Sequence, residues 1–142
     1  MVVKFARWAF EKFDGLEDKL GTQMLAVGEV MSIGKNYKEA LQKAIRSLEI
    51  GRYGLGFAGD FNKKSLDELM NMLTHPSSER QFIMYEALRK GADIEELHRK
   101  TYIKSWFISQ MKELVEAEEK ILEYKGIIPP DEILLQAKKD GF

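Results

Sequence analysis

Residues 54–59 of the 142-residue sequence run Gly54-Leu55-Gly56-Phe57-Ala58-Gly59 and match the dinucleotide fingerprint letter for letter. That fingerprint works only where the glycines follow a strand and open a helix, whose N-terminal amides then receive a pyrophosphate. Here they follow a helical pattern, and the next one begins only around Ser65. The glycines are therefore assigned to a flexible connector. The two histidines, His75 and His98, lie at separate helix boundaries, with no cysteine in the chain and no HExxH spacing. A protein-built zinc site is not expected from them, and His98 sits near a helix end, where the dipole favours an imidazolium. No serine has a histidine and a carboxylate at a recognisable triad spacing. Glu113, Glu116, Glu118, Glu119 and Glu123 gather on one helix among lysines, with Glu116 and Lys120 four apart; this is the pattern of a solvated helical face. Glu29 is the one acid kept in view, and its strand position suits a structural contact better than proton abstraction. No catalytic, cofactor-binding or metal-ligating residue is assigned.

The elements carrying these residues are legible from periodicity. Leu25, Val27, Met31 and Ile33 recur with period two, which predicts a strand. Gly34 breaks the pattern, and Asn36 with Glu39 forms a capping-box pair at a helix start. Tyr37, Leu41, Ala44, Ile45 and Leu48 follow at helical spacing, with Gly51 the expected C-cap. Upstream, Val2 to Phe10 is rich in β-branched and aromatic residues and predicts a first strand, turned by Phe13-Asp14-Gly15. Two strands alone bury too little to be stable in water, so the start has the character of an edge torn from a larger sheet, and the chain is expected to be a fragment. Residues 51–64, GRYGLGFAGDFNKK, form the expected domain boundary.

Everything after that connector is helical. Ser65 and Glu68 cap a short helix ending near Thr74, and His75-Pro76-Ser77-Ser78 stops it. Ser78 and Gln81, again at capping-box spacing, open a helix that ends at Gly91. Asp93 and Glu96 cap a third, through Lys100. The longest helix spans about Lys104 to Tyr124, where Phe107, Ile108, Met111, Leu114, Val115, Ile121 and Leu122 make a broad apolar stripe. Pro129-Pro130-Asp131 opens a last helix toward Lys139, before Gly141. The fold class expected is mainly α: a short N-terminal strand pair plus a helix, then an orthogonal domain of about five helices.

Bulk composition bounds the function classes. Hydrophobic residues at 44% and aromatics at 11% describe a folded globular chain, and 32% charged residues a well-solvated surface. A net charge of −1 creates no global field for polyanions. No apolar run approaches the ~20 residues of a membrane span, and MVVKFARW has no signal-peptide architecture.

GTQM, VGEVM-S-IGK and the EALQKA-RSLE helix resemble the segment that ends the first ATP-grasp half of the carbamoyl phosphate synthetase large subunit. The rest of the chain resembles the helical connection, or oligomerisation, domain that follows in that family. The likeness covers essentially the whole chain, is most specific from Phe10 to Glu49, and returns at Glu79–Lys90, Trp106–Phe107 and Ala137–Phe142. The motif positions are Thr22, Gln23, Met24, Gly28, Glu29, Val30, Met31 and Gly34. Where the family usually carries Lys-Ser after the Met, and Arg after the second Ile-Gly, this chain has Leu25, Ala26 and Lys35.

The resemblance implies three segments: 1–50 as the C-terminal edge of the first (carboxyphosphate) ATP-grasp half, 51–64 as the connector, and 65–142 as the helical oligomerisation domain. It implies a structural and assembly role, without activity in isolation. The parent ligase makes carbamoyl phosphate from bicarbonate, ammonia delivered from glutamine, and two ATP, for arginine and pyrimidine synthesis. Its ATP, Mg2+ or Mn2+, and K+ are expected to be held elsewhere, with no cofactor on this segment. Expected partners are the flanking ATP-grasp halves, the glutaminase small subunit and a second copy in a homo-oligomer, in the cytoplasm, with no nucleic acid and no membrane. Trp106 and Phe107 are the candidate interface residues, because aromatics are enriched at interface centres.

The alternative is a stand-alone nucleic-acid module. Ser78–Lys90, Asp93–Lys100 and the helix from Lys104 have helix-turn-helix-like spacing, with Arg80, Arg89, Lys90, Arg99, Lys100 and Lys104 as a local basic excess. The net charge, the interleaved acids and a Trp-Phe pair where base-reading side chains are needed weigh against it.

Overall fold

The structure is a computed structural model that describes residues 1–8, 10–12, 15–56 and 61–142. The expected turn at Phe13-Asp14 and the last glycine of the fingerprint, Gly59, lie outside the described residues. Strand β1 (Val2–Trp8) pairs antiparallel with β2 (Ala26–Ile33), and a 3-10 turn at Phe10–Lys12 follows β1. The first strand thus ends earlier than the composition of Val2 to Phe10 suggests. Helices α1 (Tyr37–Ser47), α2 (Leu66–Met72), α3 (Arg80–Arg89), α4 (Ile94–Thr101), α5 (Ser105–Leu122) and α6 (Asp131–Asp140) complete a mainly α fold.

The register of the strand pair decides which side chains meet the helices. Val3 faces Ser32, Phe5 faces Val30 and Arg7 faces Gly28, and this side lies on α1, where the Ser32 hydroxyl donates to the Ala40 carbonyl. Val2, Lys4 and Ala6 pair with Ile33, Met31 and Glu29 on the opposite side. Period-two residues Val27, Met31 and Ile33 therefore form a strand as expected, but on its outward face, all three exposed. Alternation fixes that two faces differ; it does not fix which one is covered.

Of the six expected helices, five have a capping or proline signal at the start, and four of those starts rest on the residues expected. The sixth, α5, begins after Lys104 as expected. Asn36 Oδ1 accepts from Glu39 N at 2.8 Å, although the Glu39 carboxylate reaches back to Lys35 N rather than to the cap residue. Ser65 and Glu68 make the full reciprocal box, and Asp93 accepts from Glu96 N at 3.0 Å. Pro130 precedes the first residue of α6. The exception is α3, whose N-cap is Glu79 with no side-chain cap bond. Ser78 is instead tied to Asp18, which accepts from its amide at 2.9 Å and from its hydroxyl at 2.6 Å. A residue 60 positions away has outcompeted the local cap.

Leu41 and Ile45 of α1 share one hydrophobic cluster with Leu69, Phe82, Met84, Leu97, Ile108 and Leu114 from α2 to α5. Helix α3 is buried from Phe82 through Leu88, as expected of a helix surrounded by others. On either side of the undescribed residues of the glycine segment, Leu55 and Phe61 belong to the same cluster. Gly34 packs closely between β2 and α1, since a Cβ there would lie 2.7 Å from the Ala40 nitrogen.

Candidate functional site

An aromatic cluster forms where the starts of α1 and α5 meet. Tyr37 opens α1, and Trp106 and Phe107 lie in the first turn of α5. Ring centroids are 5.4 Å apart for Tyr37–Trp106, 5.4 Å for Tyr37–Phe107 and 5.0 Å for Trp106–Phe107, within the range of favourable tilted and edge contacts. Trp106 remains 50% exposed and Phe107 38%, so much of this apolar surface still faces outward. Burial pushes the Tyr37 phenol above its ordinary pKa. Sequence reasoning selected Trp106 and Phe107 but not Tyr37, which is joined to them only by tertiary packing.

Next to the cluster, Lys38 Nζ lies 3.1 Å from both Glu113 Oε2 and Asp140 Oδ1. Burial works against the ammonium, but the two carboxylates outweigh it and hold its pKa above the ordinary value. Arg46 Nη1 donates to the Gly141 carbonyl and Asn36 Nδ2 to Lys139 O. The end of α6 is thereby tied to α1. Tyr102, between α4 and α5, is 86% exposed and holds a left-handed φ of 58°. Arg80 donating to Thr101 O and Ile103 N donating to the Thr101 hydroxyl fix that corner.

A second constellation is buried. Glu118 of α5 accepts from the Tyr85 hydroxyl at 3.0 Å and from Arg89 Nη2, while Arg89 also donates to Glu86 and Glu119. Glu118 is 3% exposed, so it departs from the solvated face expected of the acidic run; its neighbours Glu116 and Glu119 do point outward. A signal was present: Glu118 falls three, four and seven residues after Val115, Leu114 and Met111, on the buried stripe itself. Burial, then the charge of Glu118, drives the Tyr85 phenol far above its usual range. Desolvation opposes the Arg89 charge, but Glu118 overcomes it and raises the guanidinium pKa.

The motif residues divide by position. Thr22, Gln23 and Met24 are exposed in the loop before β2, and with Leu25 and Trp8 they line one shallow cavity. Gly28, Glu29, Val30 and Met31 lie within β2, and Gly34 follows it. Glu29 forms an exposed ion pair with Lys4 of β1. Ala26, in the place of the family's usual polar pair, opens β2 opposite Trp8.

The remaining sequence candidates disperse. His98 Nδ1 lies 2.7 Å from Ile103 O and braces the turn between α4 and α5. Among the described residues, no group of three or more metal-ligating side chains converges, and no helix is long and apolar enough to cross a membrane. Of the basic residues in the helix-turn-helix-like stretch, Arg80 bonds Thr101 O, Arg89 serves the Glu118 cluster, and Lys90 bonds Asn62 O. These three cations sit at the two ends of α3 and are engaged by groups of the chain itself.

Fold and surface together define a mainly α domain in which a strand pair and six helices among the described residues meet an aromatic edge. A family model for the carbamoyl-phosphate synthetase large chain, oligomerisation domain, matches residues 29–142, and the chain belongs to that family. The carbamoyl phosphate synthase large chain of Archaeoglobus fulgidus is 44% identical over 146 residues, covering 100% of this chain and 14% of that protein. That of Synechocystis sp. is 43% identical over 144 residues, covering 100% and 13% respectively. The large chain, N-terminal section, of Methanopyrus kandleri is 43% identical over 126 residues, covering 88% and 22%. The sequence thus spans a small part of the length of these relatives.

Proposed function

We propose that this chain is the connection and oligomerisation segment of the large subunit of a glutamine-dependent carbamoyl phosphate synthetase, with a structural and assembly role and no catalytic activity of its own. On this reading β1, β2 and α1 close the first ATP-grasp half, residues 51–64 connect, and residues 65–142 associate. ATP, its Mg2+ or Mn2+, and K+ are held by other parts of the parent ligase. The flanking ATP-grasp halves and the glutaminase small subunit are the partners, in the cytoplasm, and the product serves arginine and pyrimidine synthesis. Family membership supports the parent enzyme. The single structural observation that supports an associative role is the Tyr37–Trp106–Phe107 cluster, which keeps large aromatic surface exposed where the starts of α1 and α5 meet; aromatic residues are enriched at interface hot spots.

Light scattering of the purified chain and of Trp106→Ala across a concentration series tests this. A self-associating wild type and a variant whose dissociation constant rises at least about 30-fold, the ~2 kcal/mol of a hot spot, is the expected result. A monomer in both samples counts against association through this surface. Formation of carbamoyl phosphate from ATP, bicarbonate and ammonia by the chain alone would overturn the non-catalytic assignment.

A further inference from the structure

Side chains from two elements close on the glycine segment between α1 and α2. From α1, Gln42 Oε1 accepts from Leu55 N at 2.9 Å, and a Cβ on Gly54 would come within 2.7 Å of the same oxygen. From α5, the Glu118 carboxylate lies against Gly56, where a Cβ would be only 1.8 Å from Oε1. The other oxygen, Oε2, is the one that takes the Tyr85 hydroxyl and Arg89 Nη2. One carboxylate therefore has a bonded side facing α3 and a steric side facing the connector. Gln42 and Glu118 are both nearly fully buried.

A buried ion pair adds little net stability over an apolar cluster of the same volume, because desolvation offsets the attraction. Its best-attested use is to specify one arrangement among several. The arrangement at stake here is the path of the chain past the core. Gly56 is the position at which only a residue without Cβ fits beside Glu118, and Leu55 can reach both the core and the Gln42 oxygen only when Gly56 is placed there. A slip of one residue would push the Leu55 side chain into the carboxylate.

We infer that Tyr85, Arg89 and Glu118, opposed by Gln42, form a register lock that selects one path for residues 54–56 across the bundle. The lock fixes the connector to α1 and α5 at once. It sets how the strand pair with α1 joins the later helices, beyond what apolar packing alone specifies. The carboxylate acts as a stop, and Tyr85 and Arg89 hold the stop in place.

Amide hydrogen exchange of the 142-residue chain, resolved by NMR, tests the lock on two variants. In Tyr85→Phe/Arg89→Met/Glu118→Leu the polar cluster becomes apolar at similar volume. The urea midpoint is expected to stay at or above wild type, while exchange at Leu55 and Gly56 rises roughly tenfold or more through local opening and α3 and α5 keep their protection. Unchanged exchange at Leu55 and Gly56 overturns the lock. So does acceleration by one common factor at all protected amides, which would mark the cluster as ordinary global stabilisation. Gly56→Ala provides the independent reading if the triple variant does not fold. The methyl must displace either the connector or the carboxylate, so selective acceleration at Leu55 supports the lock, and exchange like wild type refutes it.

Discussion

Glu118 is the residue with the most at stake in this fold. Its carboxylate is buried and bonded to Tyr85 and Arg89, and truncating one partner of such a pair leaves the others uncompensated. Glu118→Ala is expected to destabilise the chain by about 3 kcal/mol, the lower end of the range for broken buried pairs, since Arg89 keeps Glu86 and Glu119. Urea denaturation measures it, and a loss below about 1 kcal/mol, the level of a surface pair, would contradict the burial. Tyr85 adds a pH dependence. Its folded pKa is raised above the ordinary 10.0 by burial and by Glu118, so above that pH the unfolded phenol loses its proton while the folded one retains it. Stability is thus fully present below pH 10.0 and falls as pH rises beyond it. Tyr85 should be the last of the five tyrosines to ionise in an ultraviolet titration, and Tyr85→Phe should flatten the alkaline part of the stability profile. The acidic run looked uniform in sequence because charge was counted along the helix; helical phase, which separates Glu118 from Glu116 and Glu119, was the informative variable.

Among the elements, the ones with local determinants were legible. Ser65–Glu68 and Asp93–Glu96 cap α2 and α4 as their spacing requires, because a cap depends on three or four neighbouring residues. The Ser78–Gln81 pair has the same spacing and fails, since Asp18 takes both donors of Ser78. The outward face of β2 was likewise undecided by its alternation until α1 lay on the other side. The corner between α4 and α5 yields a prediction at this scale. Tyr102 holds φ 58° with an exposed ring, a conformation costing an L-residue about 1–2 kcal/mol. Tyr102→Gly removes that strain but makes the unfolded chain more flexible. A net gain of up to about 1 kcal/mol is expected, and a thermal midpoint lowered by the substitution would show that the ring itself stabilises the corner.

At the scale of the whole molecule, α1 belongs to the same core as α2 to α5, so the 142-residue chain should unfold as one unit. Its two tryptophans sit at useful places, Trp8 on β1 and Trp106 on α5. Fluorescence of Trp106→Phe, which leaves Trp8, and of Trp8→Phe, which leaves Trp106, should each agree with helical circular dichroism in the urea midpoint of the same variant. Distinct fluorescence and dichroism midpoints within one variant would divide the strand pair from the bundle. The sequence by itself determined the mainly α composition, the two strands, most helix boundaries and the family resemblance, because periodicity, caps and motif spacing act over a few residues. Tertiary structure alone decided which face of β2 is covered, that Tyr37 completes the aromatic cluster, and that Glu118, whose helical phase already puts it on the apolar stripe, lies against Gly56. Each of those joins residues far apart in the chain, and burial is a property of the surface that arrives from elsewhere, not of the segment that receives it.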